Sequence, residues 1–235
     1  MNILPVEQPF SDPSVCRVVH LGSHIDYNAA WALQKKLLDM RVNKLIPDTL
    51  LLMEHASVYT SGRRSLPEHV LIGQTELLKM GVSVIETDRG GQVTYHGPGQ
   101  IVGYPIIDLE IHNIGPKTYV RSLEAILSRT IREFGLVSET IQDLTGVWVE
   151  GAKIAAIGVK ISRSVTMHGF ALNVDPDMNF YEHIIACGIT DRGTTSMAQL
   201  LGQPLSLEAV SKILIGHFGD VLGMQMLEID KSELG

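Results

Sequence analysis

The stretch Gly146–Ser162, GVWVEGAKIAAIGVKIS, constrains the fold more than any other part of the chain. Two runs rich in Val, Ile, Trp and Ala flank Glu150-Gly151, a pair that suits a tight turn with positive φ. That pattern predicts a β-hairpin. An isolated hairpin is barely stable in water, so further strands must pair with it or pack against it.

Those strands are legible. VCRVVHLG (15–22), TLLLMEH (49–55), VSVIETD (82–88), QIVGYPIIDL (100–109) and VTMHGFALNVD (165–175) read as β, separated by helical patterns. In the segment 23–43, a Ser23…Asp26 capping pattern opens a helix, with Ile25, Ala29, Leu33 and Leu37 recurring at helical spacing. Residues 60–69 read as a loop, and QTELLKMG (74–81) as a short helix stopped by Gly81. The clearest helix is 116–135, with Pro116 in its first turn, an apolar side from Tyr119 to Phe134, and Gly135 as the stop. Residues 195–202 and 206–223 are also helical in pattern. Strand-rich sections interrupted by a few helices predict an α+β fold with a mixed β-sheet and packed helices. With 235 residues, 45% of them hydrophobic, one domain over 15–235 behind an N-terminal tail at 1–14 is the expected organisation.

Composition excludes several functions. A formal net charge of −7 disfavours general nucleic-acid binding. There is no 18-residue apolar stretch, and the N-terminus lacks the basic and apolar regions of a signal peptide, so a cytoplasmic protein with no membrane partner is expected. Cys16 and Cys187 are far apart, no HxH pair occurs, the one HxxxH pair (His20 and His24) straddles the end of a strand pattern, and no Cys/His cluster has zinc-ligand spacing, so no metal is expected.

The stretch RGGQVTYHGPGQ (89–100) gathers Arg89, Gly90, Gly91, Gln92, Val93, Thr94, Tyr95 and His96. It matches neither GxxxxGK[ST] nor GxGxxG, which disfavours a phosphate cradle. Its paired glycines instead let backbone approach a largely apolar ligand. His96 and His168 each precede a Gly in a strand–turn context, where both could line a pocket. Cys187, in ACGITDRGTTSM, suits a thiol with backbone room for an acyl group, and equally a small buried hydrophobe. Cys16 reads as core. Lys153, just past the hairpin turn, could perturb a neighbouring thiol if it faces inward, although context alone favours a strand end in solvent.

Four ordered stretches carry a resemblance: RGGQVTYHGPGQ (89–100), GAKIAAIGVK (151–160), HGFALNV (168–174) and CGITDRGTTSM (187–197). Together they closely resemble the octanoyltransferases of lipoate biosynthesis, the lipoyl(octanoyl) transferase or lipoate–protein ligase B family. The resemblance implies a fold similar to the catalytic domain of lipoate and biotin protein ligases. It also implies transfer of octanoyl from acyl carrier protein to a specific lysine on lipoyl domains of 2-oxoacid dehydrogenase complexes and on the glycine-cleavage H protein. It places the acyl-thioester cysteine on Cys187 and its partner lysine on Lys153. The substrate-lining segments fall on Arg89–His96, on Ala156, Ile157 and Gly158, and on Gly169, Phe170 and Ala171. No cofactor is expected, because the acyl group arrives on phosphopantetheine. Phe170 and the Tyr95 region are candidate walls of an acyl slot, and Arg63, Arg64, Arg89, Lys160, Arg163 and Arg192 a basic rim for the acidic carrier protein. The rival readings are an ATP-dependent lipoate or biotin ligase on the same fold and a non-catalytic acyl-domain binding protein.

Overall fold

The structure is a computed structural model that describes residues 14–141, 143–185 and 192–234. The tail at 1–13, Gln142, 186–191 and Gly235 fall outside the described residues, and Cys187 is among them.

The expected hairpin is present. Strands β8 (Leu144–Val149) and β9 (Ala152–Ser162) pair antiparallel, and Glu150 and Gly151 take φ of 51° and 76°, which suits the right-handed twist of the strands. The hairpin joins an eight-stranded mixed sheet. Its remaining strands are β1 (Val15–Ile25), β2 (Asp48–His55), β6 (Gln100–Ile106), β7 (Glu139–Ile141), β10 (Val165–Asn173) and β11 (Gln225–Glu228), in the order β11-β1-β2-β6-β10-β9-β8-β7. The β11–β1–β2 pairs are parallel and the others antiparallel. A small sheet, β4-β3-β5, is made by β3 (Val58–Ser61), β4 (Ser83–Glu86) and β5 (Thr94–His96).

Helices cover both faces of the large sheet. On one face, α3 (Pro116–Arg132) and α5 (Leu207–Leu222) bury Leu123, Ile126, Leu127, Leu214 and Phe218 against Leu50, Val147, Ile154 and Leu172. Cys16 is fully buried in that core, and burial raises its thiol pKa well above the ordinary range. On the other face, α1 (Tyr27–Val42) packs Tyr27, Ala30, Leu37 and Leu38 on Leu51, Met53, Val102, Tyr104 and Ala171. Two further α-helices, α2 (Gln74–Lys79) and α4 (Met197–Leu201), are short. Among the described residues no helix is long and apolar enough to cross a membrane.

Helix α1 corrects the sequence reading. Residues 23–25 continue β1, and Asp26 is the N-cap, accepting from the Ala29 amide at 2.8 Å. The buried stripe is Tyr27, Ala30, Gln34, Leu37, Leu38 and Arg41, and Ala29 is exposed. Two polar residues join the stripe because each finds a partner from elsewhere in the chain. Gln34 Oε1 accepts from the His168 amide at 2.7 Å, and Arg41 Nε donates to the buried Asp48 at 2.7 Å. The loop expected over 60–69 begins two residues later, since Thr60 and Ser61 belong to β3.

Candidate active site

The site lies where β9 and β10 meet the segment 89–96. In the β9–β10 ladder, Gly169 faces Gly158, Phe170 faces Ile157, and Ala171 faces Ala156. The crossing is close enough to require glycine. A Cβ on Gly169 would sit 2.2 Å from the Gly103 carbonyl oxygen of β6, and one on Gly103 would sit 2.1 Å from the Phe170 ring. A Cβ at either position forces its neighbour to move, the Gly103 backbone in one case and the Phe170 ring in the other.

The paired glycines 90 and 91 serve a similar purpose. Gly90 donates to the Val159 carbonyl at 3.0 Å, and a Cβ on Gly158 would lie 2.8 Å from the Gly90 oxygen. Residues Gly62, Arg63 and Arg64 donate backbone hydrogen bonds to the carbonyls of Gln92, Arg89 and Gly91. The close approach predicted for a ligand is therefore in part an approach of protein backbone to protein backbone. Arg89, 7% exposed, fastens the same loop: its guanidinium donates to the Thr60 carbonyl and hydroxyl and to the Gly90 carbonyl.

These segments line a narrow, mostly apolar cavity. Of the residues named from sequence, Arg89, Gly91, Gln92, Thr94, His96, Ala156, Ile157, Gly158, Gly169, Phe170 and Ala171 line it. Gly90, Val93 and Tyr95 do not. Val93 and Tyr95 turn into the core of the small sheet, where the Tyr95 ring stacks on Phe180 at 4.6 Å and its hydroxyl meets Ser57 at 3.0 Å. Alternation along β5 sends Tyr95 to one side and Thr94 and His96 to the other. Phe170 is thus a cavity wall and Tyr95 is not.

Tyr27, Tyr104 and His168 also line the cavity. His168 was visible as an unusual His-Gly pair. Tyr27 carried no signal beyond its place at the first turn of α1, and Tyr104 none beyond an apolar strand. With His55 and His96 they form a buried ring cluster: Tyr27 lies 5.1 Å from His55 and stacks on His96 at 6.0 Å, and Tyr104 meets His168 edge-on at 6.3 Å. Burial holds these histidines neutral. His55 and His168 are each pushed down to about 4, and His96 well below its ordinary value, the last also by His55 and Arg89 nearby. Burial likewise raises Tyr27 to about 12. Asp88 supports His168 from behind, accepting from His168 Nε2 at 2.8 Å and Lys160 Nζ at 2.6 Å. Burial pushes the Asp88 carboxyl up, but these two partners outweigh it and hold it below its usual range.

A second cleft shares Gly91, Gln92 and Ile157 with the first, and Lys153 lines it together with Arg64 and residues 143–145. The solvent-exposed strand end suggested by context is not what is found, since Lys153 is 7% exposed. Its ammonium lies over the Trp148 ring, 4.7 Å from the centroid. Its backbone binds the chain that follows Cys187: Lys153 N donates to Gly193 O, and Thr195 N donates to Lys153 O, both at 2.9 Å. Among the described residues, no group of three or more His, Cys, Asp or Glu is placed to hold a metal ion.

The basic rim is only partly as expected. Arg63, Arg64 and Arg192 are exposed. Arg89 is buried in its loop, Lys160 is paired with Asp88, and Arg163 with Asp39.

An octanoyltransferase of Chloroflexus aurantiacus is 49% identical over 210 residues, covering 88% of this chain and 94% of the relative. Among solved structures, lipoate-protein ligase A bound with ATP superposes with a TM-score of 0.76 at 15% identity, over 94% of this chain and 90% of that one. A biotin protein ligase from Aquifex aeolicus, in complex with biotin and ATP, gives 0.56 at 13% identity over 88% and 70%. At such identities the structures speak for the fold, which is the α+β fold of lipoate and biotin ligases. The family model described as the lipoyl protein ligase A/B catalytic domain matches residues 26–219. The chain belongs to the lipoyl protein ligase A/B catalytic-domain family and, within it, groups with the octanoyltransferases.

Proposed function

We propose that this chain is a cytoplasmic acyltransferase that moves an octanoyl group from octanoyl-acyl carrier protein to a specific lysine of lipoyl domains, those of 2-oxoacid dehydrogenase complexes and the glycine-cleavage H protein. The reaction runs by two displacements. The Cys187 thiolate attacks the carrier thioester and the phosphopantetheine thiol leaves. The amine of the acceptor lysine then attacks octanoyl-Cys187, forming the amide and releasing the thiol. Thioester exchange is near thermoneutral and amide formation runs downhill, so neither ATP nor a metal is required.

The observation that carries this reading is the placement of Lys153. Its buried side chain lines a cleft that shares Gly91, Gln92 and Ile157 with an apolar cavity, and its backbone is bonded to Gly193 and Thr195, six and eight residues after Cys187 in sequence. In this reading the ammonium favours the thiolate, which at an ordinary pKa of about 8.5 is only a few per cent of the thiol at neutral pH. Lys153 also gives a proton to the departing thiol and takes one from the incoming amine.

In this reading the apolar cavity takes the acyl tail. Each buried CH₂ contributes about 0.8 kcal/mol, so two methylenes change binding only about fifteenfold, and chain-length selection needs a physical stop. Transfer tested with octanoyl-acyl carrier protein and an apo lipoyl domain, without nucleotide or added metal, should modify one lysine. A strict requirement for ATP would favour the ligase reading instead, and binding of the lipoyl domain without any transfer the non-catalytic one.

A further inference from the structure

The mechanism makes no use of the tyrosine–histidine end of the cavity, yet that end is not chemically inert. Two polar atoms there are buried and unpartnered: the Tyr27 hydroxyl, which lies near the Tyr104 and Thr87 hydroxyls without reaching bonding geometry, and His168 Nδ1. Both residues line the cavity, and each is at most 3% exposed. A buried polar atom left unpaired costs about 1–3 kcal/mol, so these two, with Gln92 Oε1 as a third among the lining residues, point to a guest that pairs with them.

The hydrogen-bond roles define that guest. Asp88 is an acceptor only, so His168 Nε2 carries the ring proton, and in the neutral ring Nδ1 is left as an acceptor. His55 gives its Nδ1 proton to the Ile25 carbonyl, so its Nε2 accepts from the Tyr104 hydroxyl at 2.7 Å. The Tyr104 oxygen therefore keeps only acceptor capacity, while the Tyr27 hydroxyl can give or take. The guest must donate to His168 and can accept from Tyr27, as a hydroxyl does and a methyl cannot. A carboxylate has no proton to give, and an ammonium is disfavoured by the buried, uncharged surroundings.

We propose that the Tyr27–His168 end of the cavity is a subsite for one neutral hydroxyl group. A held water supplies it when the acyl chain is octanoyl, and the chain itself supplies it when its last carbon bears a hydroxyl. The inference rests on the acyl cavity assigned above. It also provides the stop that chain length needs, because a longer alkyl chain must displace a bonded water with a group that cannot replace its hydrogen bonds.

The test compares isosteres by titration calorimetry on the full chain: the N-methyl amides of 8-hydroxyoctanoic acid and nonanoic acid, with octanoic acid N-methyl amide as reference. The hydroxy amide is expected to bind about tenfold more tightly than the nonanoyl amide, and Tyr27→Phe to reduce that ratio to threefold or less. If Tyr27→Phe fails to fold, His168→Asn gives the same comparison, since Asn tolerates the φ of 54° found at this position. A crystal structure with the octanoyl amide should hold one water between Tyr27 Oη and His168 Nδ1, and with the hydroxy amide the chain's own oxygen there. Equal or tighter binding of the nonanoyl amide, or no oxygen at that position in either complex, overturns the subsite while leaving octanoyl transfer intact. Failure of the octanoyl amide to bind, together with absent transfer, overturns the acyl cavity itself.

Discussion

The Lys153 ammonium sits 4.7 Å from the centroid of the Trp148 ring, and the two residues are register partners across the β8–β9 hairpin. A fully buried indole is a rigid shelf, and its face favours a cation by about 0.5–2 kcal/mol. Trp148→Phe keeps a smaller face and should lower kcat for octanoyl transfer by about two- to tenfold, with KM nearly constant. Trp148→Leu should lower kcat further and also cost about 3 kcal/mol of stability. A Trp148→Leu enzyme that stays folded and turns over at the wild-type rate would remove Trp148 from the account.

Gly158 and Gly169 face each other across β9 and β10, but their substitutions should act differently. In Gly169→Ala the new methyl meets the Gly103 carbonyl of a central strand, so the expected effect is lost stability, about 2–3 kcal/mol. In Gly158→Ala the methyl meets Gly90 in the loop, which should shift outward, raising KM for the acyl donor more than it lowers the melting temperature. Chemical denaturation and steady-state kinetics of both variants check this, and a Gly169→Ala protein as stable as the parent contradicts the packing argument.

Stability should fall in mild acid. His55 and His168 titrate near 4 in the folded protein and near 6.5 once unfolded. Between those values the unfolded chain binds protons that the folded chain refuses. The stabilising contribution is therefore complete above about pH 6.5 and is lost as pH falls toward 4, at up to about 1.4 kcal/mol per pH unit for each ring. Urea unfolding at pH 7.5 and pH 5 should show the difference, and a flat profile across that range would count against neutral buried rings.

Docking of the carrier protein should depend on Arg63 and Arg64, which are exposed, with Arg64 on the rim of the Lys153 cleft. Reversing both to Glu should raise KM for octanoyl-acyl carrier protein several-fold at low salt, and the gap should narrow as ionic strength rises. The same double variant should use a small octanoyl thioester as well as the parent does. An unchanged KM for the carrier protein would direct attention to Arg192.

Features set by neighbours in sequence were readable before the structure. The β8–β9 turn at Glu150-Gly151 and the apolar side of α3 each follow from a local pattern. What the sequence hid depends on distant partners. Gln34 and Arg41 look like solvent residues of α1 until His168 and Asp48 are placed beneath them. The Tyr27–His55–His96–Tyr104 cluster draws on residues from four separate segments. Tyr95 shows the limit of reading a motif as a unit, because alternation along a three-residue strand turns it away from the cavity that its neighbours Thr94 and His96 line. The proposed pairing of Cys187 with Lys153 rests on the motifs that surround them.

The central claim is that Cys187 carries the acyl group and Lys153 enables its transfer. Intact-protein mass measurement after incubation with octanoyl-acyl carrier protein tests it directly. The account predicts a gain of one octanoyl group on the parent chain, none on Cys187→Ser, and a nearly abolished rate of gain on folded Lys153→Ala. Acylation of Cys187→Ser, or Lys153→Ala acylating at the parental rate, would contradict it.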